Sequence, residues 1–428
     1  MSLNQGDVHR TVLDNGLAVL LREVHIAPVA TCWIWYRVGG RNETPGLTGI
    51  SHWVEHMMFK GTLAFPKGEI MRLVNKNGGV LNGFTAQDYT VYFETLPADR
   101  IELGLRIEAD RMANSVFDPD EVESERTVIL SERQGAENSP GFLLGEEVVA
   151  TAFQVHPYGH QVIGWKEDLR RISRDDLWRH YRTYYGPHNA LLVLVGDFEI
   201  AAMSGAVEAL FGPVPAGPTP PPMDVVEPPQ RAERRVTLRQ PGTTAYFRAV
   251  YHVPDARHPD FFPLLVLDAV LSGAKPMSLS NPSVTNKSAR LYRALVETEL
   301  ATSATSGLGS SLDPGLFRFS ATVRAGRALD EVEAAMLAEI QRVMDEPVEE
   351  AELAKTIKQS RAQFAYANES VSNRAYWLGR MEILESYRLL YTFLDRLSAV
   401  RSADVQRVAQ SYFRAGNRTV GWFVPEGE

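Results

Sequence analysis

Cysteine is nearly absent. Cys32 is the only one among 428 residues, so no intrachain disulfide can form and the redox compartment is not encoded. It falls in an apolar strand-like run, where a thiol serves as a small core residue rather than a nucleophile. Long apolar stretches are missing too, and none approaches the roughly twenty residues that a membrane-crossing helix needs. No secretory signal is recognisable in Met1-Ser2-Leu3-Asn4-Gln5, which leads almost directly into the first expected strand. A soluble protein is expected, cytoplasmic, or periplasmic if an export signal has been removed. Excess positive charge is also lacking. The formal net charge of −9 argues against non-specific nucleic-acid binding and favours basic peptides only where acidic groups line a chamber. With 44% hydrophobic and 23% charged residues the chain is neither disordered nor fibrous, and its length suggests two or three ordinary domains.

Histidine is scarce, at ten residues, yet two of them stand in His52-Trp53-Val54-Glu55-His56. A helix advances about 100° per residue, so His52 and His56 lie about 40° apart, with Glu55 about 60° to the other side of His52. All three can point into one cavity. Two neutral imidazoles suit a borderline-soft divalent ion such as zinc, and a neighbouring carboxylate that does not ligate it can take a proton from an attacking water. The order H-x-x-E-H is the inverzincin signature. This pattern arises by chance in roughly one or two per hundred sequences of this composition, and its structural alternative is a helix whose histidines are satisfied by core hydrogen bonds or water.

A catalytic zinc needs a third protein ligand. A donor-rich helix follows from Asp118 to Arg133, with Asp118 as N-cap, Pro119 at the first helical position and an acidic first turn at the positive end of the dipole. Glu125 and Glu132 are seven residues apart, close to two turns, and share a face. One can ligate while the other supports the site; read alone, the segment also fits a solvated acidic helix.

The proline-rich stretch 213–229 reads as a semi-rigid linker between a domain over 1–212 and another over 230–428. Both halves open with strand-like runs, Ala30 to Val38 and Ala245 to Val253, and close with a helix followed by a strand. Ser173 and Ser402 look like the N-caps of those closing helices. Two related α+β domains follow, each with helices on a mainly antiparallel sheet.

Taken together, His52 to His56, Thr11-Val12-Leu13-Asp14-Asn15-Gly16-Leu17, Gly78 to Thr85, His156-Pro157-Tyr158-Gly159-His160 and Val420 to Pro425 make a chain that resembles the pitrilysin-type inverzincin metallopeptidases, particularly small bacterial members related to mitochondrial processing peptidase. The match covers nearly the whole sequence. The resemblance implies two homologous domains facing each other around a chamber. It implies Zn2+ held by His52, His56 and Glu132, Glu55 as general base and Glu125 as the supporting carboxylate. It also implies that Asn82, Gly83, Phe84 and Thr85 bind substrate along an edge strand ahead of the strand-like run Tyr89 to Leu96, reading peptide backbone more than side chains. Gly83 stands where the family usually has Ala, leaving the backbone approach open. His156 and His160 also have i,i+4 spacing, but Pro157 and Gly159 oppose a regular helix, so they read as structural loop residues.

One departure matters most. Relatives that are catalytically complete supply an Arg and, seven residues later, a Tyr from the second domain to bind substrate and stabilise the oxyanion. Here the aligned positions are Val296 and Ser303, neither of which can do so, and Arg290, Tyr292 and Arg293 have the wrong spacing. Loss of an oxyanion donor commonly costs about a hundred- to thousand-fold in rate. The expectation is therefore a zinc metalloendopeptidase subunit that acts with a homologous partner supplying the Arg/Tyr pair. The alternatives are a homo-oligomer using other donors, a hydrolase of a non-peptide substrate, and a non-catalytic scaffold or assembly subunit of the same fold.

Overall fold

The structure, a computed structural model, describes residues 7–276 and 286–426; the segment Met1 to Gln5, read above for a signal, lies outside the described residues. Two sheets are formed. The first contains β1 (His9–Val12), β2 (Ala18–Glu23), β3 (Val29–Tyr36), β4 (Val80–Thr85), β5 (Thr90–Pro97) and β6 (Ala190–Gly196), in the order β1-β2-β6-β3-β5-β4. The second contains β7 (Arg234–Pro241), β8 (Tyr246–Val253), β9 (Ala301–Leu308), β10 (Gly315–Val323) and β11 (Arg418–Glu426), in the order β7-β11-β8-β10-β9. All neighbouring pairs are antiparallel except β2 with β6 and β7 with β11. Without β1 the two orders are the same, and the parallel pair falls at the same place in each. This is the mixed α+β duplication expected from sequence. No helix among the described residues is long and apolar enough to cross a membrane.

Strand β3 shows why the first sheet is covered on both faces. Its alternating side chains point to opposite sides: Cys32, Ile34 and Tyr36 enter a core built with the helices Ile101–Asn114 and Pro119–Glu137, while Trp33 and Trp35 meet Tyr376 of the helix Val371–Leu384. That helix approaches closely because Gly379 has no side chain; a Cβ there would lie 2.2 Å from Trp35 Nε1. Cys32 is fully buried and burial raises its thiol pKa, which suits a packing role. The same core holds a fully buried Arg111 whose Nε donates to Glu108 at 2.7 Å and whose Nη2 donates to Glu94 at 3.2 Å. Its guanidinium also lies 4.1 Å from the Tyr92 ring centroid.

The chain forms two compact units that are interleaved in sequence. The first takes the chain up to Gln134, His160–Asp224 and Asn368–Tyr391; the second takes Gly135–Gly159, Val225–Ala367 and the chain from Thr392 onward. Two segments thus cross the division expected at 213–229. One contains the helix Pro140–Ala152, whose Leu144 and Val148 pack with Val250 and Phe423 of the second unit. A glycine again permits the contact, since a Cβ at Gly421 would lie 2.1 Å from Val148 Cγ2. Of the expected N-caps, Ser173 accepts from Asp176 N in a capping box. Ser402 does not cap. It is the first residue of its helix, its hydroxyl donates to Val348 O at 2.5 Å, and Asp404 instead accepts from Arg401 N at 3.0 Å.

Candidate metal centre

The helix Ile50–Met57 is fixed before its functional side chains are considered. Gly49 precedes it at φ +86°, where a Cβ would also lie 2.5 Å from Ile163 O, so glycine alone fits. The buried Glu43 carboxylate accepts from Gly49 N at 2.7 Å and Ser51 N at 2.9 Å, satisfying donors that a helix start leaves open. Ser51 Oγ lies 3.1 Å from Nε2 of the buried His180. With Trp53, Val54 and Met57 in the core, the remaining stripe carries His52, Glu55 and His56.

His52, His56 and Glu132 converge. Their candidate ligand atoms all lie within 4.8 Å of one another, with Glu132 Oε2 3.8 Å from His52 Nε2 and 3.7 Å from His56 Nε2. Zinc ligands at about 2.0–2.2 Å in a tetrahedron sit about 3.4 Å apart, so Glu132 stands within a few tenths of an ångström of that spacing from both imidazoles. Burial, helped by the neighbouring His56, lowers the His52 pKa to about 4, leaving the neutral imidazole that a metal requires.

Glu125, two turns earlier on Pro119–Glu137, takes a different place. Its Oε1 lies 2.8 Å from His56 Nδ1, and a proton donated there leaves the Nε2 lone pair facing the other donors. Lys60 Nζ pairs with the other oxygen. Burial would raise the Glu125 pKa, but the bonds from His56 and Lys60 outweigh it and hold it at about 2. For His56, burial works downward and is outweighed by Glu125 and the charges of Glu55 and Glu132, so its pKa is raised. Glu55 stands apart from the three-donor cluster. Burial raises its pKa against the hydrogen bond it accepts from Thr85 Oγ1 at 2.9 Å. A cavity of about 370 Å³ opens beside Glu55 and His56, walled also by Phe59, Lys60, Lys67 and Glu125.

Two family models match consecutive parts of the chain: "Insulinase (Peptidase family M16)" over residues 18–165 and "Peptidase M16 inactive domain" over residues 171–360. The chain belongs to peptidase family M16. Among its relatives, zinc protease PqqE of Helicobacter pylori is 28% identical over 92% of this chain and 87% of that protein. The mitochondrial-processing peptidase subunit beta of Blastocladiella emersonii is 27% identical over 96% of this chain and 87% of that one. The crystal structure of a protease from Helicobacter pylori has a TM-score of 0.92 and 26% identity, covering 98% of this chain and 99% of the other.

Within this M16 fold, Asn82, Gly83, Phe84 and Thr85 all lie on β4, the outermost strand of the first sheet. Asn82 is exposed and its Oδ1 accepts from Gly83 N at 2.9 Å. The space a side chain would need at Gly83 is filled, since a Cβ would lie 2.8 Å from Tyr92 Cδ1 and 3.1 Å from Phe59 Cζ. Phe84 packs against Tyr89. Thr85 differs from the other three in touching Glu55 directly. His160 Nε2 stands 3.7 Å from Glu43 Oε2, while His156 Nε2 lies 3.1 Å from Asp313 in the second unit.

In the second unit Val296 ends a helical turn, Tyr292–Val296. Ser303 lies on β9 with its hydroxyl donating to Thr322 Oγ1 at 3.0 Å. Arg290 is tied to Glu352 at 2.6 Å. Sequence reasoning did not find Glu43, Lys60 or His180. Lys60 adjoins the motif, but a lone lysine there reads as helix-end charge; Glu43 and His180 carry no local signal because their partners are distant in the chain.

Proposed function

We propose that this M16 chain is a zinc metalloendopeptidase subunit acting on peptides or unfolded polypeptides. His52, His56 and Glu132 would hold the zinc named in its relatives' descriptions, and the observation that carries the reading is their convergence beside Glu55. Zinc held there would polarise the scissile carbonyl and acidify the attacking water. Glu55 accepts that water's proton and returns it to the leaving amine. Its raised pKa moves it toward the range where a group can both take and give a proton near neutrality. Glu125 orients His56, and Lys60 keeps Glu125 ionised and in place. An extended substrate would add to β4, with Asn82 to Thr85 leading toward Glu55.

Val296 and Ser303 bring no oxyanion donor, so we propose further that a homologous subunit supplies an Arg/Tyr pair. A relative named as a subunit of a processing peptidase supports this assembly. The test measures zinc content and cleavage of a quenched peptide library by this chain alone and mixed with a homologous Arg/Tyr-bearing subunit, with Glu55→Gln as control. Glu55-dependent cleavage only in the mixture is expected. Full activity of the chain alone would remove the partner requirement, and a chain without zinc would point to the scaffold role.

A further inference from the structure

The second unit encloses a cavity of about 190 Å³ that two arginines line and no carboxylate enters. Arg248 lies on β8 and Arg318 on β10, with Ser320 opposite Arg248 and Arg318 opposite Val250. Positions 248, 250, 318 and 320 therefore share one face of the sheet. The helix Pro140–Ala152 covers part of that face through Leu144 and Val148. Gly145 makes room where this helix crosses Arg248, because a Cβ there would lie 2.6 Å from Nη1 and 3.0 Å from Cζ. Glycine weakens a helix interior, and here it admits a guanidinium. Arg248 Nη2 donates to Gly141 O at 2.7 Å, which fixes the fork in place.

Arg248 is half-buried beside a second cation and has no acidic partner in the cavity, an arrangement that partial loss of water disfavours. Burial and the nearby Arg318 hold Arg248 below the usual arginine range; among the described residues no acidic side chain lines the cavity to offset this. Arg318 remains solvent-accessible, so an anion can reach it. The rest of the wall is mixed. Val148 and Val250 present hydrocarbon and Ser320 a hydroxyl. The volume is below the roughly 300–1,000 Å³ of pockets that enclose a whole small molecule, so the cavity suits one charged group on an apolar stem.

We propose that this cavity binds a carboxylate of a peptide, either its C-terminus or an acidic side chain, between the Arg248 and Arg318 guanidiniums. The forked donors match a carboxylate, and the apolar wall suits the aliphatic stem that a peptide carboxylate carries and inorganic phosphate lacks. The peptide as bearer rests on the peptidase reading; the uncompensated charge does not.

The test is fluorescence anisotropy on the full chain, with zinc and after chelation, using three N-terminally labelled peptides. One has a free C-terminus and no acidic residue, one is its C-terminal amide, and one is the amide carrying a single Glu. The free acid, the Glu peptide or both should bind more tightly than the plain amide, the two arms separating the two sources. Arg318→Gln should weaken that binding by about ten- to a hundred-fold, Arg318→Lys should restore part of it, and Gly145→Ala should weaken it by displacing Arg248. Arg318 is accessible, so an unchanged melting temperature in Arg318→Gln will show that folding is intact. Equal binding of all three peptides, unchanged affinity in Arg318→Gln, or a response to inorganic phosphate alone would overturn the proposal. Failure of the peptidase reading would appear separately, as missing zinc or missing cleavage in the parent chain.

Discussion

Between β3 and β4 the first unit places the helix Ile50–Met57, carrying His52, Glu55 and His56; between β8 and β9 the second unit places the helix Phe261–Ser272. The two occupy corresponding positions in sheets of the same order. Yet the second helix spends its length on packing, with Phe262, Leu264, Val266, Leu267, Val270 and Leu271 all buried. Its one carboxylate, Asp268, accepts from Lys275 Nζ at 2.6 Å and Ser306 Oγ at 2.5 Å. The later helices diverge likewise, since Glu132 faces two imidazoles whereas Glu352 is bound by Arg290. Sheet order therefore does not confer metal chemistry. It provides a place where a helix can either bury an apolar face or present donors, and the two halves have taken opposite options.

The sharpest way to break this contrast is to disable each side in turn. Glu55→Gln should lower cleavage by about 10²- to 10⁴-fold with zinc content retained, and His52→Ala should abolish zinc binding, whereas Asp268→Asn should leave zinc content unchanged; inductively coupled plasma analysis beside a cleavage assay reads all three. A second contrast concerns core charge. Arg111→Met should cost about 3–5 kcal/mol in urea unfolding because Glu94 and Glu108 lose their buried partner, while Arg235→Met, whose side chain is 49% exposed, should cost about 1 kcal/mol or less.

A smaller effect comes from His180, whose pKa burial lowers to about 3. A histidine depressed on folding adds stability above its unfolded pKa of about 6.5 and loses it as pH falls, so this residue should account for about 2 kcal/mol of lost stability between pH 7 and pH 5. Denaturation midpoints across that range should show a shallower slope in His180→Asn; an identical slope would contradict the assignment. The mildest change is Lys60→Met, expected to weaken zinc affinity about ten-fold through Glu125, as competition with a chelating dye would reveal.

How far the sequence carried varied with distance along the chain. His52, Glu55 and His56 were legible together because one helical turn encodes their geometry. Glu125 and Glu132 were legible as a pair on one face, but helical spacing could not say which would meet the imidazole Nε2 atoms and which Nδ1; only the docking of one helix on another separates 2.8 Å at Nδ1 from 3.7 Å at Nε2. Ser402 was misread because a serine before an apolar-periodic run resembles a cap, and the reach of its hydroxyl to Val348 is a tertiary fact. The cation pair at Arg248 and Arg318 was invisible because strand register, not sequence spacing, brings 248 beside 320.

The interleaving of the chain has a practical corollary for anyone wishing to isolate the metal-bearing portion. A break within 213–229 would strip Asn368–Tyr391 from the first unit and leave Gly135–Gly159 of the second on the wrong polypeptide. Trp33 and Trp35 would then face water in one fragment, and Val250 and Phe423 in the other. Such fragments are a complementation pair rather than two proteins: each should be insoluble when expressed singly and recovered when they are produced together, with the return of tryptophan burial reporting their reassembly.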